Sequence, residues 1–470
     1  MSEDNQFDLI VIGAGPGGYV AAVKAAQLGM KVACVDKNDR LGGVCLNSGC
    51  IPSKALLDSS EYYALAKESL SAHGISCKEI DLNLSTLMNR KNEIIQQLTG
   101  NVRSLLERHK VTIIRGMASM LNPKDVEVTL LKEDGHASSE KKILTAKNIL
   151  LATGSKPLEI NSMPFDGKTI VSAKDALSFD KIPDHLVVVG GGYIGLELGS
   201  VWCRLGSKVT VLEMLPSIAG VMDGQISRTL LRLLKKQGIG IELKTKVLKA
   251  EAEKETVLVT ISKDGMEKET IRCDKLLVAV GRKPLTDGLN LDRAGLQLNA
   301  SGGLDVDPFY RTAVKHIYAI GDLIPGPMLA HKASAEGRAA VENMAGLSGE
   351  VNYDAIPSII YTFPEAASVG LTEEQVKERN IPCRKGTFPF SGTGRARCLG
   401  ETEGLVKVLA HEKTGRLIGV HIIGARAADM IAEAVLAIEV GASAEDIGRV
   451  IHGHPTFSEA FQEAAMAVQG

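Results

Sequence analysis

Short unbroken apolar runs, each delivered into a glycine-rich turn, alternate with stretches whose apolar residues recur at helical spacing. Residues 7–12 form the first run, which predicts a strand buried on both faces. Gly13-Ala14-Gly15-Pro16-Gly17-Gly18 follows directly, then an alanine-rich helix to Leu28 and a second strand over 31–35 that ends in Asp36. Helical spacing predicts helices over 53–66 and 87–109, and β-like runs stand at 111–115 and 126–132. A buried strand over 148–151 ends in Ala152-Thr153-Gly154-Ser155. The opening pattern then returns: a strand over 186–189, Gly190-Gly191-Gly192-Tyr193-Ile194-Gly195, a helix to Leu205, and a strand over 208–212 closing on Glu213.

Further runs predict strands over 240–249, 257–262, 276–280 (leading into Gly281) and 317–320 (leading into Gly321-Asp322). Met328-Leu329-Ala330-His331 opens a small-residue helix to Ala345. Beyond about residue 348 the pattern changes to a hairpin, 405–410 and 417–423 around a Glu412–Gly415 turn, followed by helices over 425–440 and 444–451 and a short one to Val468.

Each Gly-x-Gly-x-x-Gly between a strand and a helix suits a dinucleotide. The glycines allow a tight turn and close approach to a pyrophosphate, the helix N-terminus contributes its dipole, and the acid ending the next strand accepts from ribose hydroxyls. Asp36 and Glu213 occupy that place in the two repeats, so two separate dinucleotide sites are expected. Glu213 would repel a 2′-phosphate, and no arginine stands at 214–217, which favours NAD over NADP in the second. Asp322, at the carboxyl end of a buried strand, stands where parallel sheets bind ligands. A hairpin followed by helices, without a nucleotide signature, indicates an α+β module at the C-terminus.

Composition changes this picture little. The 470 residues suggest about three domains. A net charge of −2 gives no footprint for nucleic acid or an anionic membrane, and no apolar run is long enough to span a bilayer. The first apolar run begins at Phe7, so no presequence is expected, and the reading is of a soluble protein in a reducing compartment such as the cytoplasm, or the mitochondrial matrix if the source is eukaryotic. Of eight cysteines, Cys34, Cys77, Cys203, Cys273, Cys383 and Cys398 are scattered, as buried small hydrophobes would be.

Cys45 and Cys50 differ, because they lie within Leu41-Gly42-Gly43-Val44-Cys45-Leu46-Asn47-Ser48-Gly49-Cys50-Ile51-Pro52-Ser53-Lys54. Five residues of regular helix rise about 7.5 Å, beyond the roughly 4.4–6.8 Å between Cα atoms that a disulfide tolerates. If the two pair, the backbone tightens between them, and Gly49 is where it can yield. A thiolate at Cys50 would gain from the start of the helix that follows. Two unpaired core cysteines remain the alternative. Near the C-terminus, His454-Pro455-Thr456-Phe457-Ser458-Glu459 places a carboxylate five residues after a histidine, which can orient the imidazole and raise its basicity. A surface histidine beside a helix start is the alternative there.

Taken together, the Gly42–Lys54 stretch, both glycine turns, Ile320-Gly321-Asp322 and His454–Glu459 resemble the flavin-dependent pyridine nucleotide–disulfide oxidoreductases over essentially the whole chain. Leu46-Asn47 and Ile51-Pro52-Ser53-Lys54 resemble the branch acting on lipoyl thiols more than the glutathione branch, and the chain ends without a mercuric reductase's extra cysteine pair. The resemblance implies an α/β protein with two Rossmann-like FAD/NAD(P)-binding domains and a C-terminal α+β dimerisation domain. It divides the chain into an FAD-binding domain at 1–150 completed by 282–348, an NAD-binding domain at 151–281 and a dimerisation domain at 349–470. The implied reaction oxidises protein-bound dihydrolipoamide to lipoamide through a Cys45–Cys50 disulfide and FAD, reducing NAD.

By motif position, Cys45 would meet substrate and Cys50 the flavin, with His454 and Glu459 as the catalytic acid–base pair. Gly13, Gly15, Gly18, Asp36, Lys54, Gly116, Thr153, Gly154, Ser155, Asp322, Met328, Leu329, Ala330 and His331 would hold FAD. Gly190, Gly192, Ile194, Gly195, Glu197, Glu213, Val247 and Gly281 would hold NAD. No metal site is implied. The implied partners are a second copy in a homodimer and the lipoyl domains and acyltransferase core of 2-oxoacid dehydrogenase complexes, or the lipoyl protein of glycine cleavage. Asp36 stands where glutamate is commoner, and Val44 and Ser48 replace the usual threonine and valine. The rival readings are a sibling reductase acting on glutathione or a metal ion, and a flavin-binding interaction protein whose redox chemistry is incidental.

Overall fold

The computed structural model describes residues 5–132, 134–265 and 268–468 as a mixed α/β protein. The chain forms two compact units, one made of Met1–Ala55, Met88–Leu158 and Gly281–Val351, the other of Leu56–Leu87, Glu159–Val280 and Asn352–Gly470. Among the described residues, no helix is long and apolar enough to cross a membrane.

The first unit is built on β1 (Gln6–Ile12), α1 (Pro16–Gln27) and β2 (Val32–Asp36). After β2 come α2 (Gly43–Ser48), α3 (Cys50–Glu68) and α4 (Leu84–Arg108), and then β3 (Thr112–Met120), β4 (Asp125–Leu131) and β5 (Ala137–Leu151). β3, β2, β1, the inner half of β5 and the strand Ile317–Ala319 are parallel neighbours. Leu9, Ile10 and Val11 are wholly buried at the centre, as an unbroken apolar strand covered on both faces requires. β4 pairs antiparallel with β3 and with the outer half of β5.

β5 is far longer than the 148–151 run predicts. Its outer half, Ser138–Lys142, is polar and carries no apolar signal, because it pairs only in the antiparallel ribbon at the rim. A parallel sheet with an antiparallel excursion can tolerate such a half-wet strand.

In the second unit, Gly240–Glu242, Lys208–Leu212, His185–Val189, Lys275–Val278 and Ile170–Val171 form a parallel sheet in that order. The predicted 240–249 strand is two strands. Lys244 takes a left-handed conformation (φ 52°), and Thr245–Glu253 turns away into a separate antiparallel sheet with Thr256–Lys263 and Lys268–Cys273. The C-terminal part is a five-stranded antiparallel sheet, Ser358–Ile360, Glu365–Gly370, Leu417–Gly424, Leu405–His411 and Cys383–Pro389, with helices Ala427–Glu439 and Glu459–Met466 contributing to its apolar core.

A buried charge cluster fixes part of this unit. The Lys407 ammonium, 1% exposed, donates to both oxygens of Asp223 (2.9 and 2.8 Å) and to Glu373 (2.6 Å). Asp223 also caps the helix Gly224–Lys236 through the Gln225 amide. Lys377 and Lys407 hold the Glu373 carboxyl far below the usual range. Burial pushes Asp223 up, but Lys407 and the Glu373 and Gln225 amides outweigh it and leave the carboxyl low.

Depressed carboxylates contribute stability that is complete above the ordinary carboxylate range, about pH 4, and is lost as pH falls toward their folded values. Lys407→Met leaves the buried Asp223 carboxylate without its cation and removes one of the three lysines around half-buried Glu373, and should cost about 3–5 kcal/mol at pH 7. Urea unfolding should show this deficit shrinking between pH 7 and pH 3, as acid neutralises the carboxylates. A deficit that stays constant over that range would mean that the cluster's charge is not what Lys407 serves.

Candidate active site

The first glycine turn is shaped by what it leaves no room for. Gly13 is left-handed (φ 102°), and a side chain there would collide with the Ala152 carbonyl. At Gly18 a Cβ would collide with the Gly13 carbonyl, so α1 starts hard against the turn. Gly15 caps α1 with no side-chain hydrogen bond, which leaves first-turn amides available to an anion. The Ala14 amide donates to Asp36 Oδ2 (2.7 Å) and the Asn38 amide to Oδ1 (2.8 Å), so the carboxylate closes the turn while keeping lone pairs for a ribose.

The second turn repeats the first. Gly190 is left-handed (φ 106°) with the Ala279 carbonyl where a Cβ would go, and Gly195 abuts the Gly190 carbonyl. Gly192 caps the helix Tyr193–Leu205 with no side-chain bond and open space around it. Glu213 accepts the amides of Gly191 and Leu215, both at 2.7 Å. Ile194 lies in the first turn of that helix. Glu197, 3% exposed, accepts the Tyr361 amide at 3.1 Å, and Val247 is buried on Thr245–Glu253. Gly281 (φ 129°) belongs to the first unit, where its carbonyl accepts the Leu158 amide. Both turns thus present a cradle shaped for a dinucleotide pyrophosphate, and their residues fit the FAD and NAD that the resemblance implies.

The cysteine stretch is pinned onto the first cradle. The Gly42 amide donates to the Ala14 carbonyl (2.8 Å), and a Cβ on left-handed Gly43 would sit 2.7 Å from Gly15 Cα. Asn47 knits the segment by donating to the carbonyls of Gly43, Arg40 and Leu41. α2 carries Cys45 and ends at Gly49 (φ −140°, ψ −114°), and α3 starts at Cys50. The helix therefore breaks where the spacing requires, and a Cβ at Gly49 would press to 3.0 Å from the Val44 carbonyl.

Cys45 and Cys50 are both thiols here, not a disulfide, and their side chains hydrogen-bond. That bond, followed by burial, pushes the Cys45 thiol up, while Lys54, one turn after Cys50 on α3, works against it. Of the other six cysteines only Cys34 and Cys273 are buried. Cys77 and Cys398 are exposed and Cys203 and Cys383 half-buried, because scattered placement alone carries no information on depth.

Around Asp322 the first unit gathers several predicted residues. Asp322 lies in the turn Gly321–Leu323 after the strand Ile317–Ala319, and Ser155 Oγ donates to its carboxylate. Arg282 donates to Ser155 Oγ (2.8 Å) and to its carbonyl (2.7 Å). Thr153 Oγ1 donates to the Leu285 carbonyl, and the Leu285 amide returns a bond to Gly154 (φ 72°). Met328 precedes Leu329, which caps the helix Ala330–Met344 with no side-chain bond, and His331 is exposed on its first turn. Gly116 is buried on β3, one residue beyond the partner of Asp36, beneath Val128.

His454 is 77% exposed, and its Nδ1 donates to Glu459 Oε1 (2.7 Å), leaving Nε2 as the basic nitrogen. Glu459 Oε2 accepts the Thr456 amide (2.8 Å). The His454 bond and then that amide hold the Glu459 carboxyl below its usual range.

Four participants escape the sequence patterns. Arg282 acts only through Ser155, and Lys332 and Glu336 bracket the Gly321 peptide from within the Ala330–Met344 helix. His452, 4% exposed on its side chain, bonds Glu433 (2.9 Å) and the Val450 carbonyl (2.9 Å). The spacing of nineteen residues to Glu433 is no motif, although a second histidine two before His454 was a visible signal. Among the described residues no group of three or more His, Cys, Asp or Glu could hold a metal.

Two family profiles match this chain: "Pyridine nucleotide-disulphide oxidoreductase" over residues 7–337 and its dimerisation domain over residues 356–465. A mitochondrial dihydrolipoyl dehydrogenase of Caenorhabditis elegans is 48% identical over 469 residues, covering 99% of this chain and 93% of the relative. The mitochondrial dihydrolipoyl dehydrogenase of Sus scrofa is 47% identical, covering 98% and 90%. Among solved structures, LpdA from Mycobacterium tuberculosis shares the fold with a TM-score of 0.88 at 25% identity, covering 97% of this chain and 99% of that one.

Replacing Cys50 by alanine removes the largest influence holding the Cys45 proton. In reduced Cys50→Ala, alkylation of Cys45 by iodoacetamide, followed by mass spectrometry against pH, should reach half its plateau rate at lower pH than in the parent. An unshifted profile would assign the effect to burial alone.

Proposed function

The chain belongs to the pyridine nucleotide-disulphide oxidoreductases, and from that membership we propose which of its residues carry out its reaction. It is a flavoprotein dihydrolipoyl dehydrogenase that uses FAD and NAD. The observation that carries the residue assignment is the seating of Cys45 and Cys50 against the first cradle by the Gly42–Ala14 bond.

In the proposed cycle the two cysteines begin as a disulfide. His454 Nε2 takes the proton of one substrate thiol, since the thiolate is the nucleophile. That thiolate attacks Cys45 Sγ, a mixed disulfide forms, and the Cys45–Cys50 bond breaks with its electron pair leaving on Cys50. The second substrate thiol attacks the first substrate sulfur and gives its proton to Cys45 Sγ, which leaves as a thiol while the lipoyl disulfide forms and departs; His454 keeps the first proton and Cys50 remains the thiolate. Glu459 keeps Nδ1 protonated throughout and stabilises the imidazolium. FAD, when bound, carries the two electrons from the thiol pair to NAD as hydride.

Gly13, Gly15, Gly18, Asp36, Lys54, Thr153, Gly154, Asp322 and the backbone at Ala330 are the proposed flavin residues. Gly190, Gly192, Gly195, Glu197 and Glu213 are those for NAD. The protein forms a homodimer. We read the active site as shared between two copies, the thiols of one facing His454 and Glu459 of the other. The proposed clients are lipoyl domains of 2-oxoacid dehydrogenase complexes or of glycine cleavage, in the cytoplasm or, as in the mitochondrial relatives, the matrix.

Turnover with NAD and dihydrolipoamide should exceed that with NADPH and glutathione by orders of magnitude, and comparable rates would move the chain to a sibling activity. Gly13→Ala should purify with little flavin. Gly190→Ala should stay yellow and be reduced by dihydrolipoamide, yet fail to pass electrons to NAD. Normal NAD turnover in Gly190→Ala would remove the second cradle from the account. Coexpressing His454→Gln with Cys50→Ser chains should restore activity in the mixed dimer, at about half the parent dimer's activity because one of two sites is intact. No recovery would place each site within one chain.

A further inference from the structure

We infer that Lys332 and Glu336 form a buried clamp on the Gly321 peptide that positions Asp322 for the flavin. Both side chains are 0% exposed, and their charged ends meet at 2.9 Å. Each also holds one of the two peptide groups that flank Gly321 Cα: Glu336 Oε2 accepts the Gly321 amide (2.8 Å), and Lys332 Nζ donates to the Gly321 carbonyl (3.1 Å). Gly321 is left-handed (φ 69°), with Ala333 3.1 Å from where a Cβ would lie, so its conformation is one the chain must be held in.

An ion pair with no solvent contact is an expensive way to stabilise a helix–turn contact. Desolvation costs several kcal/mol per ion, and apolar residues of the same size frequently serve stability equally well. What such a pair does better is specify one geometry, because each charge must satisfy its hydrogen bonds in place. Here the geometry specified is the peptide immediately before Asp322. The carboxylate of Asp322 is secured separately by Ser155, itself held by Arg282. Backbone and side chain of Asp322 are thus fixed from opposite sides.

The clamp also reaches the neighbouring loop. A Cβ on left-handed Gly326 would lie 3.0 Å from Lys332 Cε, so the loop leading to Met328 and Leu329 folds over the lysine stem. Lys332 and Glu336 are one turn apart on Ala330–Met344, so the clamp ties the turn and the loop to one helix. Lys332 and Glu336 are positioning residues, acting through Gly321 on Asp322.

The inference rests on the assignment of Asp322 to FAD. The test measures FAD binding to apoprotein by flavin fluorescence, and tight binding by the parent and its weakening in Asp322→Ala test that assignment separately. Lys332→Met/Glu336→Leu should raise the FAD Kd about tenfold or more, the scale of a lost charged hydrogen bond. In that background Asp322→Ala should add little, because an unpositioned carboxylate is already ineffective. Glu336→Gln, which keeps an acceptor for the Gly321 amide, should bind FAD closer to the parent than Glu336→Leu does. The clamp is overturned if the double variant binds FAD like the parent, or if its effect and that of Asp322→Ala simply multiply.

Discussion

The chemistry of this protein depends on a close approach of two backbones, Gly43 against Gly15, closed by the bond from the Gly42 amide to the Ala14 carbonyl. A side chain at Gly43 would hold the segments apart, since its Cβ would lie 2.7 Å from Gly15 Cα, and under the proposed function that would move the thiol pair away from the nucleotide turn. α1 must start without a side-chain cap, Asn47 must gather three carbonyls, and the helix must break at Gly49 so that Cys45 turns toward Cys50.

The two cradles are copies of one device. Gly13 and Gly190, Asp36 and Glu213, and Gly42 and Ala219 are each 177 positions apart, and each pair makes the same hydrogen bonds. Ala219 donates to the Gly191 carbonyl as Gly42 does to Ala14, but left-handed Ala219 leads into a loop without cysteines. Under the proposed function, the redox pair is a local elaboration of one copy, placed where the loop bonds back to the turn. The second copy keeps the longer acid, Glu213, which reaches two amides across the same gap.

Much of this was legible in the amino-acid sequence, because the relevant signals are local. A strand that must be covered on both faces is an unbroken apolar run, as at Leu186–Val189, and a turn that must approach a phosphate needs glycines at fixed offsets. The His454–Glu459 bond spans five residues and shows as a motif. What was not legible is long-range or polar. The outer half of β5 is held by backbone pairing at the rim, the 240–249 run is interrupted by a conformation at Lys244 that lysine does not advertise, and His452, in a loop, finds Glu433 on the helix Ala427–Glu439. Lys332 and Glu336 read as an ordinary exposed helix pair, and only their depth distinguishes them.

The most direct test of the central claim is an anaerobic titration of the oxidised holoenzyme with dihydrolipoamide, followed by visible absorbance. A thiol pair seated against the flavin predicts that about one equivalent turns the yellow protein red-orange, as a thiolate at Cys50 interacts with the oxidised ring, and that NAD restores the yellow form. A protein that stays yellow while both cysteines become alkylatable would contradict the account, since the sulfurs would then be reduced without touching the flavin.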